Sequence, residues 1–333
     1  MSGGASGSDL VGRTVSVDVP ATSANLGAGF DALALALDLR SLIHLEVVAP
    51  DSEPEVLVSI DGEGAGHLPA GKRNRFIVAL LEGLAAGGLA EPELGWRVHM
   101  ENNIPVARGL GSSASAVVAA LVAADDLLGD KLGPERILEL AAASEGHADN
   151  AAAAIYGGLC VVADVEGRPR AVRIEPPARL HAAMFIPDKP LSTAAMRAAL
   201  PESVPFADAV HNIGAAALAV AALGQDRLEL LDAATADRLH EPYRAQAYPE
   251  LPELIAAARS AGALGACLSG AGSTVIAFSD DASAAASIAA AMQERAVSLG
   301  LVGRSAVQRA RSAGAHVIAS SSAQPVGSAA GLA

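Results

Sequence analysis

Cysteine, lysine and aromatic residues are scarce in this chain of 333 residues. Its two cysteines, Cys160 and Cys267, cannot build a disulfide framework; both lie in apolar, strand-like runs, where a free thiol fits a reducing compartment. Lysine occurs only at Lys72, Lys131 and Lys189, so no basic run offsets the formal charge of −14. A field of that sign repels polyanions, and nucleic acid is not an expected partner. Aromatics are 3% of residues against 51% hydrophobic and 18% charged, so Ala, Val, Leu and Ile must build the core. That balance excludes disorder throughout and collagen-like repeats. Mean hydropathy is high at +0.35, yet no stretch reaches the roughly 18 consecutive apolar residues of a membrane span, and no membrane partner is expected.

The opening MSGGASGSDLVG lacks a basic segment followed by an apolar one, so it reads as a flexible tail and the protein is expected in the cytoplasm. The closing AQPVGSAAGLA is small and Gly-rich, and is also expected to be flexible. Between them, strands are expected over Thr14–Pro20, Ile43–Ala49, Glu55–Ile60 and Trp96–Met100, and through Cys160. Helices are expected over Arg75–Ala86, over Ala114–Leu128 with a stop at Gly129, and from Pro134 to Ser144. Charge and pattern shift after Gly167, where RPRAVRIEPP reads as a boundary. The second half alternates strands (HAAMFIP, LGACLSG, STVIAF) with helices near 208–223, 249–261 and 282–299, which implies mixed α and β layers.

The strongest chemical signal is PVARGLGSSAS, directly ahead of an apolar helix. A Gly-rich loop opening a helix gathers free N–H groups and the positive end of the helix dipole at one spot, which suits phosphate. Gly109 and Gly111 let backbone approach the anion, and Ser112 or Ser113 offers a hydroxyl to phosphate or Mg2+. GHLPAGK at 66–72 starts like a P-loop, but Arg73 stands where Ser or Thr is needed, and it reads as a surface connection. EGHADN crowds Glu145, His147, Asp149 and Asn150 into six residues, either as a capping turn or as a metal and substrate site. PATSANLGAGFDA carries Asn25 and Asp31 among small residues, and LGACLSGAGSTVIAF places Gly270 and Gly272 between two strands. Arg197 and Arg244 each sit on a short helical pattern, where a solvated surface role is the usual one.

These Gly-rich segments, in this order, resemble the three motifs of the GHMP kinases, from about Val15 to Arg311. Within that family PATSANLGAGFDALALAL, EGHADN, LSTAAMRAALP and HEPYR resemble the members that phosphorylate homoserine. The resemblance implies an α+β fold of two domains, an N-terminal two-layer nucleotide-binding domain and a C-terminal ferredoxin-like α/β sandwich. The expected division is a tail at 1–12, an ATP-binding domain at 13–167, a second domain at 168–315 and a tail at 316–333. The implied cofactors are ATP and Mg2+, and the implied assembly is a homodimer. ATP is expected on Pro105, Val106, Ala107, Arg108, Gly109, Leu110, Gly111, Ser112, Ser113, Ala114 and Ser115, with Gly270 and Gly272. Mg2+ is expected on Ser112, Ser113 and Glu145. Asn25 and Asp31 would meet the hydroxyl and amino ends of the substrate, His147 would line its pocket, and Arg197 and Arg244 would clamp its carboxylate. Asn25, Glu145 and Asn150 are the expected catalytic residues, with no dedicated base. The rival readings are a mevalonate- or sugar-type kinase of the same fold and a non-catalytic ligand-binding relative.

Overall fold

In β1 (Thr14–Ala24), Val15, Val17 and Val19 alternate with Thr14, Ser16 and Asp18, and the valines turn inward. The computed structural model describes residues 7–90 and 92–321. β1 pairs antiparallel with β2 (Leu33–Val48), whose other edge pairs with β4 (Gly95–Asn102) along Leu42–Val48, and β3 (Val56–Gly62) runs parallel to β4. α1 (Arg75–Ala86) makes the crossover between β3 and β4; Asn74 caps it by accepting the Phe76 N–H at 2.9 Å. α2 (Ser112–Leu128), α3 (Gly133–Glu145) and α4 (Asp149–Tyr156) follow. The DNAAAA stretch after EGHA enters α4. β5 (Leu159–Val165) and β6 (Arg168–Ile174) form a hairpin on the near end of β2. The helices bury Val117, Ala120, Ala151 and Phe76 with the valines of β1, giving an aliphatic core with Trp96 inside it.

The second layer system holds β7 (His181–Pro187), α5 (Thr193–Ala198), α6 (Phe206–Gly224), α7 (Leu231–Ala234), α8 (Glu241–Arg244) and α9 (Leu251–Ser260). It continues through β8 (Gly265–Leu268), β9 (Val275–Ser279), α10 (Ala282–Ser298) and β10 (Gly303–Arg309). Its sheet runs β10-β7-β9-β8, antiparallel throughout, with α9 and α10 packed on one face through Leu254, Ile288 and Met292. Its other face, through Met184, Cys267 and Ile276, shares a core with Leu35 and Leu37 of β2 and Leu110 ahead of α2. That shared core fixes the two halves against each other, with loops of both meeting above it. Burial pushes the Cys160 thiol up to about 12 and holds Cys267 well above the usual thiol range, so neither is a nucleophile.

Three expectations shift. The division at 167/168 falls in the turn of the β5–β6 hairpin, so β6 stays with the first sheet. The expected C-terminal tail begins with a strand, β11 (His316–Ser321), paired antiparallel to β1 at the edge of the first sheet. Residues 322–333, and residues 1–6 of the expected N-terminal tail, lie outside the described residues; Leu10, within that tail, is buried. By length and composition α6 could cross a membrane. Here its Asn212 is buried and donates to Ala28 O at 3.2 Å and Asp237 at 2.7 Å, while Phe206, Val210 and Ile213 form an exposed stripe.

Candidate active site

The Gly-rich loop between β4 and α2 leaves the start of α2 without a side-chain cap. Its first N–H groups, with the helix dipole behind them, face a polar cavity of about 110 Å³. Gly109 takes φ +76° and a Cβ there would run into the Ser269 carbonyl oxygen, so only glycine fits. Gly109→Ala should therefore destabilise the fold by roughly 2–4 kcal/mol, read as a melting temperature lower by about 5–10 °C. An unshifted melting curve would show the loop to be loosely packed.

The third Gly-rich segment braces this loop. Ser269 donates to Gly109 O at 2.7 Å, the Thr274 N–H to Arg108 O at 3.1 Å and the Gly270 N–H to Ala24 O at 3.0 Å. Gly270 lines the cavity, whereas Gly272 packs beside Leu268 and Leu191 and does not. Arg108 lines the cavity, but its guanidinium is turned onto the backbone carbonyls of Val106, Pro187 and Asp188. It ties the loop to the end of β7. Ala107, Gly109, Leu110, Gly111 and Ala114 also border the cavity, while Pro105 does not.

Glu145 closes α3 and meets the start of α2: Ser113 Oγ donates to it at 2.9 Å, and Arg75 at the start of α1 forms an ion pair with it. A hydroxyl and a carboxylate oxygen side by side are hard donors of the kind Mg2+ takes together with phosphate oxygens. No cluster of three metal-ligating side chains stands among the described residues, so any metal here would share its ligands with a nucleotide.

Next to Glu145, His147 Nδ1 lies 2.8 Å from Asp149, whose carboxylate sits in the first turn of α4. That hydrogen bond, opposed by burial, holds the His147 pKa above its ordinary 6.5. The sign follows: the pair's stabilisation is complete below pH 6.5 and is lost as pH rises through the raised value. In Asp149→Asn, the imidazole should titrate at lower pH by NMR, and the stability deficit should be largest in acid and shrink with rising pH. A titration unchanged in the variant would show that another group sets it. Asn150 Oδ1 accepts the Thr22 hydroxyl at 2.7 Å.

Across the cavity, Asn25, Leu26 and Asp31 take left-handed φ of 70°, 50° and 53°, a strained path held by buried Asn25. Asn25 accepts the Asp31 N–H at 3.1 Å and donates to Gly270 O at 2.9 Å. Asp31 and Arg197 form a two-pronged ion pair, both contacts 2.8 Å. Arg244, 2% exposed, donates to Gly270 O at 2.9 Å and Met196 O at 3.3 Å. Burial first and Arg197 second work against its charge. Among the described residues it has no carboxylate partner.

A second, apolar cavity of about 300 Å³ adjoins the first, sharing Ala107, Ser112, Ser113 and Thr193 with it. Ile43, Leu68, Pro69 and Met100 line it, together with Val106 and Ser115. Leu68 and Pro69 belong to the segment that the sequence reads as a mere surface connection. A polar cavity at a helix N-terminus opening into an apolar one is the shape of a nucleotide site.

The N-terminal domain model of the GHMP kinases matches residues 75–158, and their C-terminal model matches residues 216–298. A homoserine kinase of Moorella thermoacetica is 44% identical over 262 residues, 79% of this chain and 86% of its own. The chain belongs to the homoserine kinase group of the GHMP kinases. A second member, from Synechococcus sp. (strain CC9311), is 40% identical over 92% of this chain and 96% of its own. The crystal structure of homoserine kinase from Cytophaga hutchinsonii superposes with a TM-score of 0.80 at 30% identity, over 92% of this chain and 97% of that one. The two-domain GHMP kinase fold and an ATP-dependent kinase activity go with this membership.

The fold of the kinase brings Asn25, Asp31, Glu145, His147, Asn150, Arg197 and Arg244 onto one cavity. Sequence reasoning misses Phe30, Arg75, Thr193 and His240. A lone aromatic in a Gly-rich loop, in a chain with five phenylalanines, was the available signal for Phe30. His240 stands one helical turn before Arg244, its Nδ1 3.3 Å from that guanidinium.

Proposed function

We propose that this kinase transfers the γ-phosphoryl group of Mg-ATP to the side-chain hydroxyl of L-homoserine, giving O-phospho-L-homoserine for threonine biosynthesis. The observation that carries the substrate is the pairing of two guanidiniums with Asp31 around a cavity of about 110 Å³. Arg197 and Arg244 suit an α-carboxylate and Asp31 an ammonium, so a small zwitterion satisfies the set. Mevalonate has a carboxylate but no amine and would leave Asp31 without an ammonium, and a sugar has neither group and would leave the arginines without a carboxylate as well. The apolar cavity takes the base and ribose, and the loop at 105–115 takes the phosphates.

Phosphoryl transfer needs mostly positioning and charge neutralisation. Ser112, Ser113 and Glu145 would hold the metal ion, which when bound would neutralise charge on the phosphates. Asn25, through its remaining amide hydrogen, and the arginine pair aim the hydroxyl. Asn150 offers its amide hydrogens to phosphate oxygens, and His147 lines the substrate's pocket. Asp31 is committed to the ammonium and Asp149 to His147, so no carboxylate is assigned as base, and the hydroxyl proton passes to a phosphate oxygen. We also place the enzyme in the cytoplasm as a homodimer without a membrane partner. The exposed stripe of α6 supports self-association, which sedimentation would measure. The domain division then lies between 174 and 181, with 310–321 returning to the first unit.

The test is ADP release from Mg-ATP with L-homoserine, L-serine, L-threonine, mevalonate and galactose. Turnover confined to homoserine is the expected result. Preference for mevalonate or galactose would replace the substrate, and silence on all five would leave a binding protein.

A further inference from the structure

Phe30 touches every cationic or imidazole group on the arginine side of the cavity. Its ring centroid lies 5.3 Å from Arg197 Cζ and 5.2 Å from Arg244 Cζ, and 5.2 Å from the His240 ring at a tilt of 35°. The backbone on either side of the ring is held: the Gly29 N–H donates to Asn25 O at 3.0 Å, the Ala32 N–H to Gly29 O at 3.0 Å, and the Asp31 N–H to the Asn25 side chain at 3.1 Å. The loop that carries the ring is therefore anchored independently of the arginines.

Two guanidiniums aimed at one carboxylate repel each other until that carboxylate arrives. Arg197 is compensated by Asp31. Arg244 is buried among carbonyl oxygens and a histidine nitrogen, without an acid. The negative face of an aromatic ring is a neutral group that attracts both cations and holds them apart. An acid in its place would bind them and compete with the substrate.

Resting on the substrate reading above, we propose that Phe30 is a positioning residue. It spaces and orients Arg197 and Arg244 so that both bond one carboxylate, and so enforces selection for α-carboxylate substrates. The role is separate from the chemistry at the hydroxyl, and its signature lies in the carboxylate-dependent part of binding.

The experiment compares wild type, Phe30→Leu, Phe30→Met and Phe30→Tyr on two ligands. These are L-homoserine and 3-amino-1-propanol, which keeps the hydroxyl and the amine and lacks the carboxylate. The amine is read as a substrate or, where turnover is too slow, as a competitive inhibitor. Phe30→Leu and Phe30→Met should raise KM for homoserine roughly ten- to fiftyfold, with kcat and KM for ATP within about threefold. The constant for the amino alcohol should stay put, and Phe30→Tyr should restore the homoserine value. Equal losses on both ligands would make Phe30 merely structural and overturn the proposal, as would an unmoved homoserine KM. A wild type indifferent to the carboxylate would instead overturn the arginine clamp, and the role of Phe30 with it.

Discussion

Replacing Arg244 with methionine should raise KM for L-homoserine by roughly 30- to 1000-fold, since a buried charge-assisted pair is worth about 2–4 kcal/mol. KM for ATP should move little, because the hydrogen-bond partners of Arg244 are Met196, His240 and Gly270 and none lies in the loop at 105–115. The stability of the ligand-free protein should behave oppositely. Arg244 is 2% exposed and bonds only carbonyl oxygens and His240 Nδ1. A buried cation without an acid costs more than an apolar chain of similar length. The carbonyls of Gly270 and Met196 lose a donor, which offsets part of the gain. The melting temperature of Arg244→Met should therefore match or exceed that of wild type while substrate affinity collapses. Arg244→Lys should not rescue, because an ammonium cannot reach the carbonyls and a substrate carboxylate together. An unchanged KM in Arg244→Met would remove Arg244 from the site.

The Asp31–Arg197 pair shows how such a site stays soluble in its own charges. Both side chains are over a third exposed, at 36% and 43%, so the pair adds little stability. A zwitterionic substrate can open it at small cost, giving its ammonium to Asp31 and its carboxylate to Arg197. Arg75 stands in the same relation to Glu145, a protein cation resting where a metal ion would come.

What the sequence makes legible is what local chemistry dictates. The apolar run ending at Gly129 shows α2, because that glycine closes the helix in a left-handed conformation that other residues resist. Gly109 and Gly111 show the phosphate loop, since no side chain fits against Ser269 or Thr22 there. What stays hidden depends on contacts far apart in the chain. Residues 33–42 carry no strand expectation, yet they extend as β2 because β1 on one side and β5 on the other supply partners. RPRAVRI reads as a boundary, but pairing with β5 makes it a strand. Arg197 and Arg244 carry no local sign of function: one meets Asp31 across 166 residues and the other meets Gly270 O through the fold. The motif resemblance, not periodicity, lifts them from the surface. Phe30 lies in the PATSANLGAGFDA motif but receives no role there, Arg75 lies outside the motifs, and only the packed site reveals them.

Glu145→Ala should lower kcat by roughly a thousandfold with the fold intact, an order set by the several kcal/mol that a properly held metal ion contributes. The carboxylate is positioned twice, by the Ser113 hydroxyl at 2.9 Å and by Arg75. Alanine is a good helix former at the end of α3, and the left-handed Gly146 that follows still closes it, so the helix itself loses nothing. Arg75 is half exposed and is solvated when its partner is removed, which limits the penalty in stability to below about 1 kcal/mol. The diagnostic reading is the Mg2+ dependence of ATP binding measured without homoserine. Wild type should bind ATP more tightly as Mg2+ is raised, and Glu145→Ala should respond only at much higher Mg2+ or not at all. Glu145→Gln should sit with alanine and not with wild type, because an amide keeps the Ser113 contact but loses the charge. A variant with full turnover and an unaltered Mg2+ response would remove Glu145 from the mechanism.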